Sequence, residues 1–455
     1  MLFSSYPFLL VFLPLTLLGY YLACSSEATR TWYLVAASVV FYGYWDPRFI
    51  PLLVGSIVAN WLLAAWYLRR RRAAVIGLAI VANLAVLVVF KYLDFIISTI
   101  GDLAGTKLEP LGIVLPLGIS FFTFHHIIYL VDCVRRGAPR YRFRDYALYI
   151  ALFPQILSGP LVRHSEIVHQ FRFDPWREGV AERLGRGLIL LLIGLAKKVF
   201  LADALAGIAN PLFALAHDGG PLTAVQGWTG ALGFTFQIYF DFSGYSDMAI
   251  GLALMLGLTL PLNFNAPYRA SELREFWRRW HMTLSRFLRD YLYIELGGNR
   301  HGLPRQLAAL LITMLLGGLW HGAGWNFVIW GGLHGLGLAV GVLWRRLGLR
   351  LPSVIAWPVT FLFLVASWVF FRAGTLSGAL AMLGAMASGL PLGEAHMPPV
   401  LAVAAAVAII GPTSQDFAAA FRPRTVASFA AVAVSLLVLL KLGGDSSYEF
   451  IYFRF

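Results

Sequence analysis

One histidine in this chain stands where ionisable groups are rarely found. His321 lies in Gly317-Gly318-Leu319-Trp320-His321-Gly322-Ala323-Gly324-Trp325-Asn326, a glycine-rich corner between two hydrophobic stretches. Glycines let a backbone or a ligand approach closely. A neutral imidazole, favoured by apolar surroundings, is what a general base for a hydroxyl acceptor requires. A core histidine hydrogen-bonded to a neighbour fits the same pattern, so both roles stand at this point. His334, in the smooth apolar stretch that follows, reads as a core residue.

A second group of polar residues is embedded in Phe236-Gln237-Ile238-Tyr239-Phe240-Asp241-Phe242-Ser243-Gly244-Tyr245-Ser246-Asp247. Gln237, Asp241 and Tyr245 share one helical face, while Ser243 and Asp247 share another. A carboxylate at the centre of a bilayer span costs about 2.5–3.5 kcal/mol, so Asp241 and Asp247 need partners. They suit a proton path or a polar network that holds helices together. Asn326 joins them as a candidate supporting polar group. Gly244 among bulky neighbours predicts a helix break or a close backbone approach.

The third group runs from Glu272 to Tyr291. Trp277, Trp280, His281, Leu284, Leu288 and Tyr291 follow helical spacing, which predicts an amphipathic helix with His281 on its aromatic, membrane-facing side. Arg274, Arg278 and Arg279 suit an anionic donor such as coenzyme A through charge-assisted phosphate contacts. Trp277 and Trp280 beside them suit either donor binding or anchorage at the headgroup level.

Other chemistry is excluded by its missing patterns. There is no HExxH, no Cys/His cluster with ligand spacing, no P-loop and no Gly-x-Ser-x-Gly elbow. His125 and His126 are adjacent, point about 100° apart on a helix, and cannot chelate one ion facially. No metal and no permanently bound cofactor is expected.

The elements that position these residues follow from composition. The 455 residues are 59% hydrophobic and 13% charged, with a mean hydropathy of +0.72. That surface needs the bilayer as part of its solvent, and inside lipid the backbone must satisfy its own hydrogen bonds. Long unbroken apolar runs without ten-residue alternation give helices rather than a barrel. Candidate spans fall near 3–23, 31–46, 49–68, 73–91, 111–131, 187–209, 222–258, 306–320, 324–344, 354–371, 399–411 and 425–442. The 222–258 run is long enough for two helices or one with a break. The 146–160 run reads as re-entrant or interfacial, and 261–305 as helix lying on or in the interface. With no Lys or Arg ahead of the first apolar run, residues 1–24 form a first span rather than a signal peptide.

The net charge of +13 reflects basic residues held between hydrophobic spans, which points to cytoplasmic loops rather than nucleic acid. Arg69–Arg72 follow the third span, and Arg135, Arg136, Arg140, Arg142 and Arg144 follow the fifth, so one parity places both inside and the N-terminus outside. Arg345, Arg346 and Arg350 fall on the same side. Arg422 and Arg424 do so if the stretch near 376–391 does not cross. Cys24 and Cys133 form no framework.

Several ordered segments resemble one family. FWRRWHMTLSRFLRD (276–290) with YLYIELGGNR (291–300), GLWHGAGWNFVIWGGLHG (318–335), FQIYFDFSGYSDMAIG (236–251), LFPQILSGPLVR (152–163) and FIYFRF (450–455) resemble the membrane-bound O-acyltransferase (MBOAT) family, in its bacterial alginate and exopolysaccharide O-acetylation branch. The resemblance runs along the whole chain. It implies an all-α polytopic membrane protein, with roughly 11–13 tilted transmembrane and re-entrant helices, each span needing about 20 residues, in a ring around a central funnel or tunnel. A single integral-membrane domain is expected, comprising N-terminal helices (1–131), a catalytic core (132–345, including 261–305) and C-terminal helices (346–455).

The resemblance also implies the chemistry. His321 matches the family's catalytic histidine and His281 its second functional position. His321 is then a base or an acyl-relay nucleophile, and His281 positions or activates the donor. Asp241, Ser243 and Asp247 match a polar family segment. The implied function is transfer of an acetyl group from a cytoplasmic donor, acetyl-CoA, across the bacterial inner membrane for O-acetylation of an exopolysaccharide such as alginate or cellulose. Membrane lipids surround the protein, and a periplasmic SGNH-type acetyltransferase partner of the polysaccharide machinery receives the group. The alternatives are teichoic-acid D-alanyl transfer, a lysophospholipid or protein acceptor, and, in another class, a proton-coupled transporter or flippase. Asp241, Asp247 and the histidines could serve that last role as a relay, but no second copy of either polar segment gives the paired halves of a transporter.

Overall fold

A computed structural model describes the chain except for residues 24, 389–396, 422–424, 443–449 and 452–455. Cys24, Arg422, Arg424, part of the 376–391 stretch and most of FIYFRF therefore lie outside the described residues. Every regular element among the described residues is helical. Among the described residues, five helices are long and apolar enough to cross a bilayer: Pro47–Arg70, Ala73–Ala104, Gly302–His321, Trp325–Arg346 and Ser353–Arg372. Pro399–Ile409 and Ser414–Ala420, bent by 70°, make a sixth if the pair is one span. Leu78, Val81, Leu103, Val340, Val354 and Val359 on these helices are exposed, a surface that only lipid would solvate.

This is fewer full spans than the sequence suggested, and length is one reason. Glu27–Gly43 and Ile119–Arg135 have 17 residues each. Each therefore reaches about 26 Å, against a hydrocarbon core of about 30 Å. Ile119–Arg135 also begins eight residues later than the expected 111–131 segment, and it is buried on almost every side. The 146–160 run forms two short buried helices, Phe143–Ala151 and Phe153–Ile156. The 222–258 run is one helix, Ala224–Met255, of 32 residues. Gly244 does not break it. A Cβ there would come 2.8 Å from the Gly194 carbonyl oxygen, so the glycine serves a close backbone approach.

The chain divides into two compact units. The first comprises Met1–Leu192 and Tyr245–Pro261. Its helices are tied by buried polar pairs. Asn60 and Asn83 exchange side-chain hydrogen bonds of 3.2 and 2.7 Å. His126 lies between the Tyr146 hydroxyl (2.7 Å) and Ser56 Oγ (3.2 Å), and His164 between the Tyr141 hydroxyl (2.8 Å) and Asp132 (3.2 Å).

The second unit comprises Ile193–Gly244 and Leu262–Phe455. It holds His321, His281, Asp241, Ser243, Asn326 and the arginine and tryptophan candidates, whereas Asp247, also buried, belongs to the first. Its core is aromatic, with Phe276, Trp280, Trp330, Trp368 and Phe371 all buried.

Candidate active site

His321 is the last residue of helix Gly302–His321, and helix Trp325–Arg346 starts four residues later. Such a short connection returns the chain antiparallel, and glycines let the two helices touch. A Cβ on Gly318 would lie 2.9 Å from Gly331 Cα and overlap the Phe327 carbonyl oxygen. The hairpin thereby holds His321 at a fixed corner, 4% exposed. Three aromatic rings wall the imidazole: Trp320 at 4.7 Å, Trp330 at 5.1 Å and perpendicular, and Phe371 at 5.2 Å between ring centroids. Phe371 comes from helix Ser353–Arg372. Asn326 donates from Nδ2 to the Ala373 carbonyl at 2.7 Å, joining the start of one helix to the end of the other. The Trp330 indole N–H is buried and has no hydrogen-bond partner among the described residues.

His281 is placed by a break in the chain. The expected continuous amphipathic helix is instead two helices, Leu273–Arg279 and Met282–Leu288, and His281 joins them at φ +41°. Left-handed backbone is costly for a residue with a Cβ, so surrounding bonds must hold it. They come from the preceding extended segment. Asn265 donates to the Arg279 carbonyl and Met282 donates to the Asn263 carbonyl, both at 2.9 Å. His281 is therefore fully buried, not on a membrane-facing side, because the break turns its side chain inward. Its ring meets Phe242 edge-on at 4.6 Å and lies 6.2 Å from Trp320. The Trp320 ring thus neighbours both imidazoles.

Asp241 and Ser243 face two lysines. Lys198 Nζ lies 2.8 Å from Asp241 and 2.9 Å from Asp203. Lys197 donates to Ser243 Oγ at 3.3 Å, and Asp241 also accepts the Ile451 backbone N–H at 2.7 Å. Lys197, Lys198 and Asp203 were missed in the sequence. Their signal was there: two lysines and a carboxylate inside the apolar 187–209 stretch are the costly intramembrane charges that mark a polar network.

The 272–291 segment separates into distinct roles. Arg274 and Arg278 are exposed. Arg279 is engaged within the fold, paired with Glu275 at 2.9 Å and donating to the Asn265 carbonyl at 3.2 Å. Trp277 and Trp280 are buried rather than at a headgroup surface, since the short helix turns its apolar face into the aromatic core. Trp277 donates to His334 Nδ1 at 3.3 Å, while His334 Nε2 meets Ser367 Oγ at 3.2 Å. His334 is a core histidine with both ring nitrogens occupied.

Comparison with known proteins decides what this arrangement belongs to. Residues 136–374, which hold both His281 and His321, match the model of the membrane-bound O-acyltransferase family. The chain belongs to the membrane-bound O-acyltransferase family. It is 40% identical to the peptidoglycan O-acetyltransferase of Helicobacter pylori, covering 85% of this chain and 80% of that one. It is 42% identical to the protein named "Probable alginate O-acetylase AlgI" of Pseudomonas aeruginosa, covering 85% and 75%. A teichoic acid D-alanyltransferase of Streptococcus thermophilus is more distant, 27% identical over 50% of this chain and 57% of its own. This membrane-bound O-acyltransferase is a multi-pass membrane enzyme that moves an acyl group to a hydroxyl. Such chemistry needs a base for the hydroxyl and a site protected from water. In this O-acyltransferase the buried His321, walled by aromatic rings, is suited to both.

Proposed function

We propose that this O-acyltransferase takes acetyl groups from acetyl-CoA on the cytoplasmic side of a bacterial inner membrane and delivers them for O-acetylation of an exopolysaccharide of the alginate or cellulose kind. The observation that carries the reading is His321 at the glycine corner, with the Trp320 ring neighbouring both it and His281. The acetylating relatives at 40–42% identity over 85% of the chain support acetyl over D-alanyl transfer. His321 serves as the base for the attacking hydroxyl or as the nucleophile of an acyl relay. His281 serves the donor half of the reaction. The exposed Arg274 and Arg278 suit charge-assisted contacts to the phosphates of an anionic donor, which supports this reading. The two half-sites would meet along a passage through a ring of tilted helices, and an SGNH-type acetyltransferase would receive the group on the periplasmic side.

The Helicobacter relative favours a second acceptor, peptidoglycan. One experiment addresses both. The gene is deleted in its own host and restored as wild type or His321→Ala, and ester-linked acetate is measured in exopolysaccharide and in peptidoglycan. The reading expects acetate to vanish from the exopolysaccharide in the deletion and in His321→Ala at normal protein level. Full acetylation by His321→Ala removes the catalytic role. Loss confined to peptidoglycan transfers the function to that polymer.

A further inference from the structure

The hydrogen bonds around Asn263 determine which nitrogen of His281 carries the proton. Asn263 Oδ1 lies 3.3 Å from the Thr283 backbone nitrogen, 2.9 Å from Thr283 Oγ1 and 3.1 Å from His281 Nδ1. A backbone N–H can only donate. The amide atom that meets it must therefore be the oxygen, which fixes the orientation of the Asn263 side chain. The same oxygen faces His281 Nδ1, so Nδ1 must carry a hydrogen. In a neutral imidazole the remaining nitrogen then has a lone pair and no proton. That nitrogen, Nε2, is buried and has no hydrogen-bond partner among the described residues. Leaving such a buried atom unsatisfied is unfavourable, and a bound substrate can supply the missing partner.

We propose that Asn263 is a positioning residue that locks His281 in the tautomer protonated on Nδ1, so that Nε2 is presented as an acceptor to an O–H or N–H of a bound substrate. The grip is double. Asn263 holds the ring through its side chain and holds the left-handed turn through its own carbonyl, which accepts from Met282 at 2.9 Å. The acceptor character restricts what His281 can do. A locked Nε2 lone pair receives a hydrogen bond from a hydroxyl or an amide and does not donate to a developing oxyanion. This goes beyond the acyl-transfer reading, because the tautomer can be tested without knowing donor or acceptor.

The test is solid-state NMR of the full-length protein in lipid bilayers, labelled with ¹⁵N and ¹³C at histidine. The chain has ten histidines, so the His281 signals are assigned by their loss in His281→Gln. The expected result is a protonated nitrogen bonded to Cγ and an unprotonated nitrogen bonded to Cδ2. The reverse pattern overturns the proposal. Asn263→Asp keeps an oxygen acceptor and is expected to keep the pattern, whereas Asn263→Leu is expected to lose it. If Asn263→Leu does not fold, the wild type and Asn263→Asp decide the matter alone. Ester-linked acetate formed in cells gives a second reading. It is expected to stay within about threefold of wild type for Asn263→Asp and to fall roughly tenfold or more for Asn263→Leu, as loss of a buried hydrogen bond implies. Wild-type acetylation by Asn263→Leu at equal protein level also overturns the proposal. Failure of wild type to acetylate either polymer counts against the proposed function and leaves the NMR result to stand by itself.

Discussion

Gly318 and Gly331 meet across the helical hairpin that turns at His321. A Cβ on Gly318 would come 2.9 Å from Gly331 Cα, and one on Gly331 would overlap the Met314 carbonyl oxygen. In lipid, helices associate by close backbone packing rather than by the hydrophobic effect, so this contact sets the position of the corner that holds His321.

Alanine at either glycine therefore forces the hairpin apart. Gly318→Ala or Gly331→Ala is expected to destabilise by about 1–3 kcal/mol, the range for overpacking, and to lower activity more than the protein level alone explains. Thermal unfolding in detergent and acyl transfer per folded molecule check this. Gly332→Ala is the control, since its Cβ would meet only a Leu315 side-chain carbon at 3.5 Å.

Lys198 holds two carboxylates in a buried setting, at 2.8 Å from Asp241 and 2.9 Å from Asp203. Removing the cation that pairs with both leaves buried negative charge poorly compensated. Lys198→Met is expected to cost about 3–5 kcal/mol or to prevent accumulation in the membrane. Asp203→Asn leaves a one-to-one pair and is expected to be much milder. The ordering of the two variants in a thermal unfolding series is the measurement.

His334 and His321 are expected to separate structure from chemistry. His334→Leu orphans the Trp277 N–H and takes one of two partners from the Ser367 hydroxyl, which still donates to the Leu364 carbonyl, so stability should fall by about 1–3 kcal/mol while folded molecules keep acyl transfer. His321→Ala should do the reverse, with near-normal unfolding temperature and no transfer. A loss of specific activity in folded His334→Leu equal to that of His321→Ala would contradict this division.

Asn60 and Asn83 exchange hydrogen bonds at 3.2 and 2.7 Å between two helices of the first unit. A buried polar group left alone costs more than a matched apolar replacement of both. Asn60→Leu alone should be less stable than wild type by about 1–3 kcal/mol, and the double variant Asn60→Leu/Asn83→Leu should recover part of that loss. Unfolding temperatures of the three proteins test it.

Arg274 and Arg278 are exposed, while Arg279 is tied to Glu275 and the Asn265 carbonyl. If the first two meet the donor, Arg274→Gln and Arg278→Gln should each raise the donor KM about three- to tenfold with little change in kcat, as loss of a charge-assisted contact implies. Arg279→Gln should act on stability instead. Steady-state kinetics with acetyl-CoA distinguishes these outcomes, and unchanged KM values in both variants remove the donor role.

The sequence by itself determined the helical membrane class, because +0.72 mean hydropathy and long apolar runs leave a backbone in lipid few other solutions. It also drew attention to His321, a histidine framed by glycines and tryptophans, while residue types alone left a core role and a catalytic role both open. Residue types and spacing carry that much. They did not reveal that helical spacing from Trp277 to Tyr291 is interrupted at His281, because periodicity records which residues are apolar and not where the backbone turns. The turn depends on Asn263 and Asn265, some 14 to 18 residues earlier, which bond across the break. Nor could the sequence pair Asp241 with Lys198, because those groups lie on different helices. It likewise could not say that Trp277 belongs to His334 rather than to a headgroup surface. Such partnerships are set by packing between elements distant in the chain. Tertiary structure alone decided them, and with them the direction in which His281 offers its lone pair.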